Sequence, residues 1–430
     1  MLALTPDAVA LAIVALGTVA IGGIVVRRHP RIGVGLWLLT VAFVPIWVSV
    51  DLIVGWSLIA LIGIAVTLAL VASGPPPPVV TTIDLLMVAL VATAVLPFFV
   101  GAQGLSPVFA VITIWLGPYV LGRIAAPAVG YPWISDAIAI IFTLVAVLAI
   151  VEFVTGWHGL GSWGPQNSAR MVWGPIQERG GLPRVEGAFG HSIALGCSLA
   201  MSAVMTLTSR FASMVKLSMI VLQCGAIGLT FSRTALICAV TGLVLAVALL
   251  TDVSRRAKAM VVTALITGVV IVAPLLQDVF DRSTEAAGSA AYRVDLFALV
   301  PDVALLGRSD AVQYAPDGRL YFAGFASIDS QFVLTGVTYG WMALALTVVM
   351  LAIASAVTVT RRGSSASVAV IAQVPALATV ALITQYGYFF WFIAGVAAAD
   401  AAARFATSKE SPTLQGDRSE TLRTRWEVRQ

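Results

Sequence analysis

Apolar stretches near the length of a membrane-spanning helix recur along almost the whole chain of 430 residues. A helix that crosses a bilayer needs about 20 consecutive, mainly apolar residues. Thirteen such stretches are counted, near 7–26, 32–49, 53–72, 84–100, 107–122, 133–153, 188–208, 217–231, 234–250, 259–274, 331–358, 366–384 and 388–403. The two stretches on either side of Asp51, 32–49 and 53–72, are the least sharply separated from each other. Twelve or fourteen crossings therefore also fit the sequence. Because a bilayer offers the backbone no hydrogen-bond partners, this repetition predicts an all-α polytopic membrane protein.

The composition excludes an ordinary soluble domain. Charged residues make up 11% of the chain, whereas soluble domains carry about 25%. The first stretch is long enough to span, so the sequence predicts no cleavable signal peptide. The three cysteines, Cys197, Cys224 and Cys238, lie inside apolar stretches without metal-ligand spacing. The sequence therefore predicts neither a disulfide nor a zinc site, and the loops show no clustered carboxylates that would hold Mg²⁺.

Basic residues predict which side of the membrane each loop faces. With the N-terminus outside, 17 of the 25 Lys and Arg residues lie on the cytoplasmic side, as the positive-inside rule requires. Two long loops, 154–187 and 275–330, then lie outside the cytoplasm. We expect residues 1–408 to form a single integral membrane domain and residues 409–430 to be a polar, disordered cytoplasmic tail.

Ionisable residues cluster at the start of one apolar stretch, in the sequence LPRVEGAFGHS of residues 182–192. Arg184 is either a phosphate-binding residue at the membrane surface or an interfacial arginine that reaches lipid headgroups. Gly187 and Gly190 allow the backbone to approach a ligand closely. Glu186 is placed to hold the guanidinium, and His191 is a candidate base beside the helix start.

A second arginine follows a predicted helix cap. Ser232 is a favoured N-cap residue, which places Arg233 in the first turn, where the helix dipole disfavours a cation. Such an arginine pairs either with a bound anion or with a carboxylate on a neighbouring helix, such as Glu152.

The second long loop contains an amphipathic pattern. Tyr292, Leu296, Leu299 and Val303 recur at helical spacing and predict a short helix kinked near Pro301. Arg293 lies off this apolar stripe and belongs either to a solvated face or to a ligand site.

Two polar residues, Asp329 and Ser330, immediately precede the predicted helix 331–358. Asp329 is either an N-cap or a general base for an attacking hydroxyl.

Three motifs in this order resemble the O-antigen ligase and O-antigen polymerase superfamily of bacterial envelope glycosyltransferases. They are Arg184-x-x-Gly187-x-Phe189-Gly190 before a helix, Phe231-Ser232-Arg233-Thr234-Ala235 at a helix start, and Arg293 in a loop followed by Asp329-Ser330-x-x-Val333-Leu334 and Tyr339-Gly340-Trp341. The resemblance covers about residues 135–360 and implies a GT-C-like fold. Members take a glycan from a polyprenyl-diphosphate carrier and join it to an acceptor hydroxyl.

The resemblance also implies roles for individual residues. Arg184 and Arg293 would hold the carrier diphosphate, Arg233 would add charge to the cavity, and Glu186 and His191 would contact substrate. In ligases a His-Asn pair typically occupies the position of Asp329 and Ser330. This departure favours a polymerase, with Asp329 as the proposed base.

The implied function is therefore a metal-independent O-antigen or exopolysaccharide polymerase in the bacterial cytoplasmic membrane, with its active site facing outside and no cofactor. Its implied partners are a polyprenyl-diphosphate-linked oligosaccharide, an acceptor glycan or glycolipid, membrane lipids and other polysaccharide-assembly membrane proteins, but no nucleic acid. A ligase that joins finished polysaccharide to a lipid or cell-wall acceptor is the first alternative. A flippase or transporter of lipid-linked sugars is the second, although transporters tend to carry internal repeats and charges near the bilayer midplane.

Overall fold

A computed structural model of the chain describes residues 22–51, 55–74, 79–281, 292, 295–314, 320–325, 327–360 and 363–427. Within these residues the protein is mostly helical, and its strands pair only as short antiparallel hairpins. The mainly helical fold class predicted from the apolar stretches is confirmed.

The described helices are numbered here in chain order. They are α1 Pro30–Phe43, α2 Leu58–Ala72, α3 Thr82–Phe99, α4 Leu105–Val129, α5 Tyr131–Thr155, α6 Ser168–Trp173, α7 Ser192–Leu207, α8 Ser213–Leu229, α9 Arg233–Leu249, α10 Arg255–Asp281, α11 Gln331–Tyr339, α12 Trp341–Val359, α13 Ser365–Ile371, α14 Val374–Thr379 and α15 Thr384–Glu427. Residues 22–28 are also helical. The hairpins are β1 Ser49–Asp51 with β2 Gly55–Ser57, β3 Glu178–Arg179 with β4 Leu182–Pro183, and β5 Val312–Tyr314 with β6 Leu320–Phe322.

Five helices of the described part are long and apolar enough to cross a membrane: α3, α4, α5, α12 and α15 as far as Phe405. Their most apolar windows have mean hydropathies between 1.2 and 2.8. Shorter apolar helices of 10–17 residues accompany them: α1, α2, α7, α8, α9 and the Ser365–Thr379 pair. This set is compatible with a multi-pass membrane protein. Most of the stretch 7–26 lies outside the described residues.

Helix α7 lies at the centre of the bundle. All of its residues except Ile193 are buried, and it packs against α5, α8, α9, α13 and α15. A helix that is buried all round belongs to the interior of a large protein. Because α7 directly follows residues 186–191, that polar segment is fixed against the core of the molecule.

The predicted single helix over 331–358 is wrong, because the chain breaks at Gly340. Helix α11 ends at Tyr339 and α12 begins at Trp341. Gly340 has a φ of 92°, and a Cβ there would lie 2.7 Å from the Leu305 carbonyl oxygen. Only glycine combines this backbone conformation with so close an approach.

The predicted apolar helix 366–384 is also interrupted. Helix α13 ends at Ile371, and α14 begins at Val374 with Pro375 in its first turn, where a proline that lacks an N–H is tolerated. Residues 380–383 are not helical. Helix α15 then starts at Thr384, whose φ of 48° lies in the left-handed region.

The bundle has two distinct ends. At the end that we call the basic end, the Tyr131 and Thr208 hydroxyls both contact Ser365 Oγ, and Arg210 Nε donates to Asp136 at 2.7 Å. The opposite end, which we call the loop end, carries residues 156–191, 230–232 and 380–383 together with the second long loop.

The second long loop has a small apolar core of its own. Leu296 and Leu299 are buried there, with Tyr292 and Val303 packed against them, which confirms the predicted apolar stripe. The element is a 3-10 helix over Leu296–Asp302 that contains Pro301. This loop begins later than the predicted residue 275, since α10 continues to Asp281.

The polar tail is helical rather than disordered as far as Glu427, since α15 continues through most of residues 409–430. The predicted disorder of this segment is therefore corrected, at least for the backbone of the described residues. Ala402, Lys409 and Glu410 favour this extension, whereas Pro412 and Gly416 of the same segment do not.

Candidate functional site

Two arginines of the first long loop bind the end of helix α8. Arg184 is 5% exposed, and its Nε donates to the Thr230 carbonyl oxygen at 2.8 Å. Across the β3–β4 hairpin, Arg179 donates to the Phe231 carbonyl oxygen, also at 2.8 Å. The last carbonyls of a helix carry partial negative charge and attract cations. These arginines therefore fix the 230–232 connection beneath the loop.

Phe231 adopts a backbone conformation that is unusual for a bulky residue. Its φ is 48°, and its ring is buried with its edge toward Phe153. Left-handed backbone at such a residue costs free energy and persists only where the surroundings enforce it. Here the arginine bonds and the ring packing enforce it at the turn that starts α9.

Gln177 connects Arg184 to Glu186. The Gln177 side-chain oxygen accepts a hydrogen bond from Arg184 at 3.0 Å, and its backbone N–H donates to Glu186 Oε1 at 3.1 Å. Glu186 also interacts with Arg184 electrostatically. Gln177 thus joins Arg184 and Glu186 in a three-residue cluster, and a direct hold of Glu186 on the Arg184 guanidinium stays a prediction.

Glu152, at the end of α5, holds the polar segment in place. Its carboxylate accepts hydrogen bonds from the backbone N–H groups of Glu186 at 3.1 Å and Gly187 at 2.9 Å. His158 Nδ1 lies 2.8 Å from the same carboxylate. The sequence suggested Glu152 as a partner for Arg233, and the structure instead gives it these three partners.

His191 caps the central helix. Its Nδ1 accepts a hydrogen bond from the Ile193 N–H at 3.2 Å, and its ring lies edge-on to Trp173. Burial, together with the charge of Arg184, lowers the pKa of His191 to about 4. A neutral ring with its Nδ1 used by the cap leaves Nε2 as a donor, so His191 is a weak base at neutral pH.

Glu186 has a pKa shift of the opposite sense. Burial, with a smaller contribution from the charge of Glu152, raises the pKa of Glu186 from 4.5 to about 7 against the lowering effects of Gln177 and Arg184. Glu186 therefore exchanges its proton near neutral pH.

We expect these two groups to have opposing effects on stability. Between pH 4.5 and 7 the folded protein keeps the Glu186 proton that the unfolded chain has lost, so stability falls as pH rises. Between pH 4 and 6.5 the unfolded chain binds a proton at His191 that the folded protein does not, so stability rises with pH. Each effect is worth roughly 3 kcal/mol at most, and the two nearly cancel in the intact protein.

The cancellation is tested by removing one group at a time. Glu186→Gln should make the free energy of unfolding rise with pH between 4 and 6.5, and His191→Asn, which keeps a capping side chain, should make it fall between 4.5 and 7. Chemical unfolding in detergent micelles at several pH values measures both slopes. Parallel profiles for the intact protein and both variants would contradict the assignment.

Ser232 and Arg233 occupy the predicted positions at the start of α9. The Ser232 hydroxyl accepts from the Ala235 N–H at 3.2 Å, which confirms the predicted cap. Arg233 is the first residue of the helix and its side chain is exposed. An exposed cation at a helix N-terminus adds to the positive potential there.

Residues 379–385 connect the starts of three other helices. Thr379 Oγ1 lies 3.3 Å from Thr234 Oγ1 at the start of α9. The Gln331 side-chain oxygen, at the start of α11, accepts from the Leu382 N–H at 2.7 Å. The Gln385 amide donates to the Ala188 carbonyl oxygen, just before α7, at 2.6 Å. The positive N-terminal ends of α7, α9, α11 and α15 are therefore brought together at the loop end.

Two polar atoms at the start of α15 have no hydrogen-bond partner in the described part of the chain. They are Thr384 Oγ1 and Gln385 Oε1, both buried. The Gln385 amide nitrogen also donates to the Val44 carbonyl oxygen, so the orientation of its carboxamide is fixed. Buried polar atoms without a partner cost about 1–3 kcal/mol each and call for an explanation.

The cap before α11 is Ser330 rather than Asp329. Ser330 Oγ accepts from the Val333 N–H at 3.4 Å, while Asp329, half-buried, accepts only a long hydrogen bond from the Ser327 hydroxyl among the bonds of the described residues. Asp329 thus lies beside the α11 start with its carboxylate not used by the cap. The predicted site residue Arg293 lies outside the described residues.

Sequence reasoning singled out Glu152 but assigned it the wrong role, although an acid at the end of an apolar helix is expensive unless it is paired. It missed Gln177 and Gln385, since a single amide in a loop or helix start has no characteristic pattern.

The chain matches no protein-family model, no curated protein and no solved structure.

Proposed function

We propose that this protein is a membrane glycosyltransferase that takes a glycan from a polyprenyl-diphosphate carrier and adds it to an acceptor sugar hydroxyl, as a polysaccharide polymerase does. The proposal combines the motif resemblance with the chemistry of the loop end. Its active site would lie outside the cytoplasm, because basic residues are concentrated at the other end of the bundle.

The observation that carries the proposal is the junction at residues 379–385. Four helix N-termini meet there, with Arg233 exposed at one of them and Arg184 buried behind the adjoining turn. Helix N-termini bind phosphate through backbone N–H groups and the helix dipole, and arginine adds paired donors. A diphosphate can bind both to the helix N-termini and to the arginine side chain.

The proposed reaction needs a leaving group and a base. The acceptor oxygen bonds to the anomeric carbon of the donor sugar while the bond from that carbon to the carrier phosphate breaks. The diphosphate keeps the electron pair, and fixed positive groups stabilise its growing charge. The proton of the acceptor hydroxyl passes to Asp329, the carboxylate beside the α11 start.

A liposome assay separates this function from its alternatives. Purified protein is given a polyprenyl-diphosphate-linked repeat unit on one face of the vesicle, and longer glycan and free polyprenyl diphosphate are measured. Elongation of the glycan supports a polymerase, and transfer only to an added lipid acceptor supports a ligase. Movement of the intact substrate across the bilayer without a new glycosidic bond would replace the proposal with a transporter.

Arg233→Gln should weaken the binding of a short probe, farnesyl diphosphate, about tenfold, the loss of one charge-assisted hydrogen bond. The side chain is exposed, so the unfolding temperature should change little. Arg256→Gln, which removes an equally exposed arginine at the basic end, is the matched control and should bind normally. Equal affinities for the two variants would remove Arg233 from the site.

A further inference from the structure

The short helix that precedes α1 turns back into it at His29. A Cβ added at Gly33 of α1 would lie 2.5 Å from the Val26 side chain, although positions seven residues apart in one continuous helix are separated by about 10 Å. The chain therefore reverses direction and forms a helical hairpin. A Cβ added at Gly35 would lie 3.7 Å from the ring of Trp133, near the start of α5, so the turn of this hairpin lies at the basic end.

The turn, which we call the basic turn, carries four exposed basic side chains: Arg27, Arg28, His29 and Arg31. None of the three arginines forms a salt bridge within the residues that the structure describes. Arg210 of the same end, by contrast, pairs with Asp136 at 2.6 Å. Three positive charges thus lie within five residues, and no carboxylate of the described part of the chain neutralises them.

The basic turn adjoins apolar surface that faces away from the bundle. Ile32, Leu36 and Leu39 recur at spacings of four and three along α1, and each is between 43% and 55% exposed. This apolar stripe runs about 10 Å along the helix, most of the thickness of one hydrocarbon leaflet. On the preceding helix Ile24 is also exposed. The arginines therefore lie where the surface that contacts acyl chains ends and the level of the phosphate groups begins.

We propose that the basic turn binds the headgroup of an anionic phospholipid whose acyl chains lie along the apolar stripe of α1. Arginine pairs with phosphate oxygens through its planar donors, and basic clusters beside a membrane-spanning helix attract anionic lipids. A soluble anion matches the charges alone, whereas a lipid matches both the charges and the stripe. The site lies at the opposite end of the bundle from Arg233, and it does not depend on the transferase proposal.

The test compares phosphatidylglycerol with phosphatidylcholine that carries the same acyl chains. The full-length protein, purified in detergent and stripped of lipid, is titrated with each lipid, and native mass spectrometry counts the bound molecules. One arginine near an anionic headgroup strengthens binding about fivefold, so three should favour phosphatidylglycerol roughly 100-fold. Arg27→Gln, Arg28→Gln and Arg31→Gln combined should remove most of this preference.

Two control variants accompany the triple glutamine variant. Lysine at the same three positions keeps the charges and should retain most of the preference for phosphatidylglycerol. Arg210→Gln removes an arginine that is exposed at the same end but already paired with Asp136, so it should leave the preference unchanged.

Two further measurements distinguish a lipid from a soluble anion. Glycerol 1-phosphate, which is the charged part of such a lipid without its chains, should not displace phosphatidylglycerol at equal concentration. Leu36→Asn, at an exposed position of the stripe, should weaken phosphatidylglycerol binding without changing the charge.

The proposal is overturned if the intact protein does not prefer phosphatidylglycerol or if the triple glutamine variant keeps the preference. Displacement of the lipid by glycerol 1-phosphate at equal concentration would overturn it as well, because the turn would then be a site for soluble anions. Should the triple variant fail to fold, Arg28→Gln alone remains decisive, since it removes one exposed side chain and should lower the preference about fivefold.

Discussion

Glu152→Ala should lower the free energy of unfolding by about 3–5 kcal/mol, one of the two largest effects expected in this protein. The substitution leaves the N–H groups of Glu186 and Gly187 without their acceptor. It also removes the carboxylate partner of His158. The residue is 6% exposed, so water cannot replace the lost bonds without opening the loop.

Two variants control this prediction. Glu152→Gln keeps one oxygen but turns an NH₂ group toward one of the N–H donors, so its loss should be intermediate. Glu178→Ala removes an exposed carboxylate of the same loop and should change stability by less than about 0.5 kcal/mol. Chemical unfolding in micelles gives the free energies, and hydrogen exchange at residues 186 and 187 locates the change. An equally small loss for both alanine variants would contradict the role of Glu152.

If the proposed transferase function holds, Arg184→Ala should reduce the proposed glycan transfer by about 100- to 1000-fold, the loss that follows removal of a donor to a developing negative charge. It should also cost about 3 kcal/mol of stability, because the Thr230 carbonyl and the Gln177 side chain lose a buried cation. Arg184→Lys keeps the charge but not the planar donor arrangement. Its transfer rate and its free energy of unfolding should therefore lie between those of the intact protein and those of Arg184→Ala.

Arg179→Ala is the control that separates the effect of Arg184→Ala on binding from its effect on folding. Arg179 holds the neighbouring Phe231 carbonyl, so its loss should destabilise the same turn without removing the proposed diphosphate ligand. We therefore expect both alanine variants to unfold more easily, but only Arg184→Ala to weaken farnesyl diphosphate binding. Loss of binding in proportion to stability in both variants would make Arg184 a structural residue alone.

Local rules explain which features of the site the sequence revealed. The cap at Ser232 was predictable because a capping side chain bonds an N–H three residues later, whereas the same rule did not choose correctly between Asp329 and Ser330 before α11. The apolar stripe through Leu296 and Leu299 was predictable for a similar reason, since its spacing is local.

Long-range contacts explain what the sequence did not reveal. The break at Gly340 depends on the carbonyl of Leu305, which no local pattern connects to it. Two of the three partners of Glu152, the backbone N–H groups of Glu186 and Gly187, lie more than thirty residues along the chain. The three-way contact of Gln385 with Val44 and Ala188 joins segments from opposite ends of the sequence, and only the folded arrangement identifies it.

The burial of α7, in which only Ile193 is partly exposed, has a consequence for biogenesis. The ribosome finishes α7 long before it reaches α13 and α15, which cover much of its surface. At sixteen residues the helix is about 24 Å long, shorter than a hydrocarbon core of about 30 Å, and its Ser198 and Ser202 are polar. A nascent chain thus holds this helix incompletely packed until Gln385 emerges and bonds to Ala188. Assembly of the loop end therefore waits for α15, and a chain truncated before α15 cannot complete it.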